Sequence, residues 1–225
     1  MKWNKLYNYP PCTRSTTDGL RTYDVGKVKL PSVTTILQAT QSQEKIDSLN
    51  RWKDRVGAEH AASTKQQAAN RGTNMHLHLE KHIQGQGHAD LTEEGKVAKS
   101  MADVIIHQGL PDLSEIWGSE VVLYYPKLYA GQTDLVGTYD YEDSIIDFKQ
   151  SNKPKRKEWI EDYFMQLGAY AMAHNTVYGT SITQGVILMC TPDKYFQKFL
   201  IKGREFIKYQ HKFLEKVDQY YKLTK

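Results

Sequence analysis

The hydrophobic period of this 225-residue chain changes at Pro111, and that change narrows the folds open to it. Before Pro111 the apolar residues recur at helical spacing. After it, runs rich in Val, Ile and Tyr are cut by turn residues, as strands are. Tyr23 to Leu30 reads as a hairpin turning at Gly26, and Ser32 after Pro31 reads as a helix cap. Helices are expected over about 32–39, 43–70, 73–84 and 92–108, with Gly57, Gly72, Gly85, Gly87 and Gly109 as breaks. Past Pro111, strands at about 116–125, 128–139 and 144–150 form an antiparallel set. A helix at about 157–178, strands near 184–191 and 194–201, and a last helix at about 203–223 complete the order. This is an α+β chain with one mixed sheet flanked by helices. We expect a single functional domain, with a mostly helical part over 1–111 integral to a core over 112–225.

Composition removes several classes. Two cysteines, Cys12 and Cys190, exclude a disulfide framework, a four-thiolate metal centre and an iron–sulfur cluster. No apolar run approaches the roughly 18 residues of a membrane helix, so no membrane partner is expected. The opening MKWNKLYNYPPCTRS has no apolar stretch after its lysines, so no secretory leader is expected and a cytoplasmic setting is. The net charge of +4 selects no partner by itself. Its distribution says more: Lys149, Lys153, Lys155, Arg156 and Lys157 cluster, as do Arg51, Lys53 and Arg55. With 15 tyrosines, such clusters suit phosphate contact plus base stacking on a single strand. A solvated basic face and core tyrosines explain the same pattern.

The chemistry is concentrated in LYAGQTDLVGTYDYEDSIIDFKQS (Leu128 to Ser151). Alternation puts Asp147 and Lys149 on one face of a strand and Ile146 and Phe148 on the other. Charges in so apolar a strand must pair or bind something. The preceding hairpin strand brings Asp134 alongside, also between apolar residues. Two carboxylates and a lysine across one hairpin suit a hard divalent cation, Mg²⁺ or Mn²⁺, with positions left for water and phosphate. The lysine would orient a metal-bound water or stabilise phosphate charge. A purely structural ion pair is the alternative reading.

Asp134 followed by Asp147-Phe148-Lys149 resembles the PD-(D/E)XK nuclease signature, and AGQTDLVG…IIDFKQS…QLGAYA is similar to its RecB-like exonuclease branch. RGTNMHLHLE (Arg71 to Glu80) resembles that branch's Gly-Thr-x-x-His helix. LPSVTTIL (Leu30 to Leu37) is similar to the opening of phage and mitochondrial genome maintenance exonucleases. The resemblance covers most of residues 20–178. Thr133, rather than proline, precedes Asp134, as is usual in this branch. The resemblance implies a restriction-endonuclease-like core in which Asp134, Asp147 and the Phe148 carbonyl bind one or two metal ions. It makes His76 a ligand or base, gives Glu120 the early acidic position, and places Gln166 and Tyr170 beside the site.

On the 157–178 helix, Trp159, Tyr163, Gln166 and Tyr170 form one stripe, and Ile160, Phe164, Leu167 and Ala171 form an apolar stripe beside it. The first suits a groove and the second the core. His76 shares its helix face with Thr73 and Glu80. A zinc trio of His76, His78 and His82 conflicts with helix geometry, since His76 and His78 leave about 200° apart. Ser32 and Thr34 carry hydroxyls suited to phosphate, although capping accounts for Ser32 without a ligand. Lys153, Lys155 and Arg156 fall in the loop after the core strand, where DNA contact is expected.

The expected function is a metal-dependent exonuclease on single-stranded or end-bearing DNA, in replication, recombination or repair, in a host's cytoplasm if the chain is a phage protein. A structure-specific endonuclease of the same superfamily and a non-catalytic DNA-binding subunit of a recombination complex are the alternatives. The sequence leaves the oligomeric state open.

Overall fold

The computed structural model describes residues 1–224. The N-terminal part runs β1 (Lys2–Trp3), β2 (Thr13–Thr17), β3 (Leu20–Val25), β4 (Val28–Pro31), α1 (Val33–Ala39), α2 (Gln43–Val56), α3 (Ala58–Ile83) and α4 (Glu93–Gln108). It continues through β5 (Leu113–Tyr125), β6 (Tyr129–Tyr139), β7 (Glu142–Gln150), α5 (Glu161–Tyr178), β8 (Gln184–Cys190), β9 (Phe196–Lys202) and α6 (Gly203–Leu223).

Six strands form the main sheet in the order β1-β5-β6-β7-β8-β9, and β2-β3-β4 form a small second sheet. β5, β6 and β7 pair antiparallel, as their short connections require. β7 and β8 pair parallel, because α5 carries the chain back across the sheet between them. The fold is therefore α+β with a mixed central sheet, as the change of period at Pro111 predicts.

Alternation along the strands divides the core in two. Val136, Ile145 and Ile187 pack with Phe164 and Leu167 of α5 and Phe206 and Phe213 of α6. Leu135, Ile146, Phe148 and Leu188 pack with Met75 and Leu79 of α3 and Met101 and Ile105 of α4. Each such side chain, fully buried, contributes roughly 1.5–3 kcal/mol. Helices thus cover both sheet faces. Among the described residues no helix is long and apolar enough to cross a membrane.

Several expected boundaries move. The helical run of α2 and α3 breaks at Gly57, whose φ of 87° ends α2, while Gly72 lies inside α3. Gly72 instead gives close approach, since a Cβ there would meet Gln150 Cγ at 3.3 Å. The 157–178 helix begins at Glu161, because Lys157–Trp159 form a separate 3-10 turn. Trp159 therefore leaves the expected stripe and is 62% exposed. β9 starts after Lys194, whose φ of 66° belongs to a turn. β1 and β2 were not anticipated. The signal for β2 was present: a Thr-rich run ends at Asp18-Gly19, both at positive φ, the requirement of a two-residue hairpin turn.

Candidate active site

β6 and β7 pair from Tyr139↔Glu142 to Leu135↔Ile146 and then part. Where the ladder stops, Asp134 Oδ2 accepts the Phe148 N–H at 2.6 Å. The N–H and C=O of one strand residue leave on the same edge, so the Phe148 carbonyl faces this gap too. Two residues apart on one face of β7, Asp147 and Lys149 meet as an ion pair. Asp147 Oδ1 takes a long 3.4 Å hydrogen bond from Gln166 Nε2, which also donates to the Tyr170 hydroxyl at 3.1 Å. Asp147 Oδ2 is buried, and its partner is the Lys149 ammonium.

α3 supplies His76, whose Nδ1 lies 3.3 Å from Asp134 Oδ1. β5 supplies Glu120, set beside Asp134 by the flanking pairs Ser119↔Leu135 and Val121↔Thr133. Glu120 has a φ of 54° inside a strand; every other non-glycine residue at positive φ among the described residues lies in a turn or loop. That left-handed conformation costs about 1–3 kcal/mol, which surrounding structure must offset. Gln132 Nε2 fixes the Glu120 carboxylate at 2.6 Å.

Electrostatics follow from crowding these groups together. Burial, then Asp134, pushes the Glu120 pKa up to about 7. Burial likewise lifts Asp147, to about 6, against the pull of Lys149. Burial disfavours charge on His76, but the Asp134 carboxylate outweighs it and raises the ring to about 9. Asp134 also loses solvation, yet His76, Lys149 and the Phe148 N–H hold it below the usual carboxylate range. Burial opposes the charge on Lys149 as well, and Asp147 and Asp134 overcome it, so its pKa is raised.

His76, Glu120, Asp134, Asp147, Lys149, Gln166 and Tyr170 line one cavity of about 790 Å³, walled by α3, α5, β5, β6, β7 and the small sheet. Ligand atoms of His76, Glu120 and Asp134 lie within 4.8 Å of one another. Two carboxylates and an imidazole suit Mg²⁺ or Mn²⁺, and Asp147 Oδ2, paired with Lys149, offers a further oxygen in the same cavity. The closest set thus includes the histidine and the β5 glutamate, while Asp147 is held by Lys149.

Ser32 and Thr34 also face the cavity. The Ser32 hydroxyl is spent locally, accepting the Thr35 N–H at 2.9 Å as the cap of α1. Lys153, Lys155 and Arg156 are not brought to the cavity wall. The Lys155 backbone is tied to the Gln197 side chain at 2.7 and 2.9 Å, and Arg156 lies over the Trp159 ring. His78 packs against His88 with ring centroids 4.5 Å apart, while His82 is exposed, so the zinc trio does not form. Arg14 and Arg21 line the cavity from β2 and β3 and were missed in the sequence, because placing them requires the Asp18-Gly19 hairpin.

No protein-family model matches the chain. It is 30% identical over 174 residues to mitochondrial genome maintenance exonuclease 1 of Xenopus tropicalis, covering 73% of this chain and 49% of that protein. The Homo sapiens protein of the same name gives 30% over 174 residues, 73% of this chain and 50% of its own length. The chain spans about half the length of these relatives. Among solved structures, an alkaline exonuclease from Laribacter hongkongensis overlays with a TM-score of 0.34 at 12% identity, over 67% of this chain and 81% of that one, a distant likeness. Identity of 30% to the maintenance exonucleases over 73% of this chain supports a PD-(D/E)XK exonuclease-like relationship.

Proposed function

We propose that the chain is a Mg²⁺- or Mn²⁺-dependent deoxyribonuclease that degrades DNA from a free single-stranded end, in replication, recombination or repair. One observation carries the reading: Asp134, Asp147, Lys149, His76 and Glu120 come from β6, β7, α3 and β5 to the floor of a single cavity. An acidic floor beneath one half-buried lysine suits hydrolysis of an anionic ester better than it suits passive binding, because the acids repel the phosphate unless a cation lies between. The exonuclease name of the relatives supports the same reading.

Asp134, Asp147, His76, Glu120 and the Phe148 carbonyl would hold the metal, which when bound polarises the phosphate and lowers the pKa of the attacking water. Lys149 aligns that water and balances charge on the phosphate. Gln166 donates to the Asp147 carboxylate and is itself held by the Tyr170 hydroxyl. Arg14 and Arg21 are exposed and line the same cavity, where guanidinium groups suit the flanking phosphates. The N-terminal 111 residues act as a wall of the same site rather than as a separate unit, limiting access to a strand end.

End-labelled linear and circular single-stranded DNA, incubated with and without EDTA, tests the proposal. Linear DNA should be degraded and circles spared, with no degradation in EDTA. Cutting of circles would favour an endonuclease of the same superfamily, and metal-independent degradation would remove the proposed chemistry.

A further inference from the structure

We propose that Tyr163 is a positioning residue for Lys149, its ring keeping the ammonium in the site when Asp147 turns to a metal ion. This rests on the reading above. The Asp147 carboxylate is in contact with the Lys149 ammonium, Asp134 adds a further attraction, and the Tyr163 ring has its centroid 5.0 Å away; both carboxylates are proposed metal ligands, and the ring is not. Asp147 has two calls on its charge. An Asp147 oxygen engaged with a dication attracts Lys149 much less, and the ring face is then what holds the ammonium.

Tyr163 is built for that task. It precedes Gln166 by one turn of α5 and Tyr170 by two, so all three share the stripe facing the cavity. Gln166 donates to Asp147 and to the Tyr170 hydroxyl, whereas Tyr163 meets the lysine. It is half-buried, and it also lines an adjoining cavity of about 370 Å³ with Thr34, Leu37 and Leu49. Its place is set by a helix already packed on the sheet through Phe164 and Leu167, not by a mobile loop.

The test compares Tyr163→Phe, which keeps the ring, with Tyr163→Leu, which removes it. Protein carrying ¹³C at lysine Cε gives a readout independent of activity, with Lys149→Arg identifying the Lys149 signal. That signal should lie upfield in wild type and Tyr163→Phe, stay there on adding Mg²⁺, and return to the ordinary lysine position in Tyr163→Leu. In turnover, Tyr163→Phe should stay within about twofold of wild type, and Tyr163→Leu should lose on the order of tenfold in kcat with KM unchanged. An unshifted Lys149 signal in wild type, or a Tyr163→Leu enzyme equal to wild type, would overturn the inference. So would a loss confined to KM, which assigns the ring to the strand instead. Should Tyr163→Leu not fold, the position of the Lys149 signal in wild type and Tyr163→Phe decides. If wild type degrades no DNA at all, the functional reading falls, while the same signal still tests the contact.

Discussion

Asp134 takes the Phe148 N–H on one oxygen at 2.6 Å and faces His76 Nδ1 with the other at 3.3 Å, so one carboxylate both ends a ladder and begins a site. Asp134→Asn separates these roles. An amide oxygen still accepts the Phe148 N–H, so the strands should part at the same place and the melting temperature should move by only a few degrees. A hard dication loses a carboxylate ligand, however, and turnover should fall by more than a hundredfold. Mg²⁺-dependent activity within about tenfold of wild type would rule Asp134 out as a ligand.

His76 and His78 lie two residues apart on α3 and should fail in opposite ways. His76 faces the cavity, so His76→Ala should lower turnover at least tenfold with little loss of stability. Its nitrogen is softer than a carboxylate oxygen, so the metal requirement of that variant should rise more steeply for Mn²⁺ than for Mg²⁺. His78 is 7% exposed against His88, so His78→Ala should cost about 1–3 kcal/mol of stability and leave turnover near wild type. Equal, mild losses of turnover in both would make His76 a packing residue.

The pattern of residues showed the floor of the site more clearly than its walls. Asp147 and Lys149 are legible because an aspartate and a lysine interrupt an apolar strand, and strand alternation alone puts them on one face. The Asp134–Phe148 bond is not legible, since it depends on where two strands separate, and no residue marks that point. Lys153, Lys155 and Arg156 show a different limit: a charge run beside the site reads as substrate contact, but patterning does not show that the Gln197 side chain on β9 bonds the Lys155 backbone and that the loop does not line the cavity. Arg14 and Arg21 reach the wall only through the β2–β3 hairpin and its packing near β6, a long-range relationship that local patterning does not contain.

Gly131 illustrates how tightly the wall is fitted. A Cβ there would stand 2.6 Å from Tyr170 Cε1, inside any real contact distance. Gly131→Ala must therefore displace the Tyr170 ring, and with it the hydroxyl bonded to Gln166. Overpacking of this kind costs roughly 1–3 kcal/mol. Denaturant unfolding should show that loss, and kcat should fall by about tenfold as Gln166 releases Asp147. Unchanged kcat alongside reduced stability would detach Tyr170 from the positioning of Asp147.

Arg14 and Arg21 should act through charge rather than chemistry. For single-stranded DNA, each phosphate contact contributes about −0.7 to the slope of log affinity against log salt. In an inactive Asp147→Asn background, Arg14→Ala and Arg21→Ala should each weaken oligonucleotide binding and make that slope shallower by about 0.7. Binding with an unaltered slope would place both arginines off the path of the strand.

One turn of α5 beyond Tyr170, His174 sets an acid limit on the fold. The ring is fully buried, its Nε2 paired with the Tyr9 hydroxyl at 3.1 Å and its Nδ1 with Thr180 Oγ1 at 2.8 Å. Burial holds its pKa down at about 4, against 6.5 for a free histidine. Between those values the unfolded chain binds a proton that the folded chain refuses, so stability rises with pH across the window. The contribution is complete above pH about 6.5 and is lost as pH falls toward 4, a difference of about 3 kcal/mol by linkage. Tyr9 carries the N-terminal segment into the same aromatic cluster with Tyr7, Trp117 and Tyr178, so the loss should first free that segment from the sheet. His174→Gln keeps hydrogen-bonding capacity without the titration. Its melting temperature should therefore decline less between pH 6.5 and 4 than that of wild type, although it starts lower at pH 7. Parallel curves for the two proteins over that window would show that other groups set the acid limit.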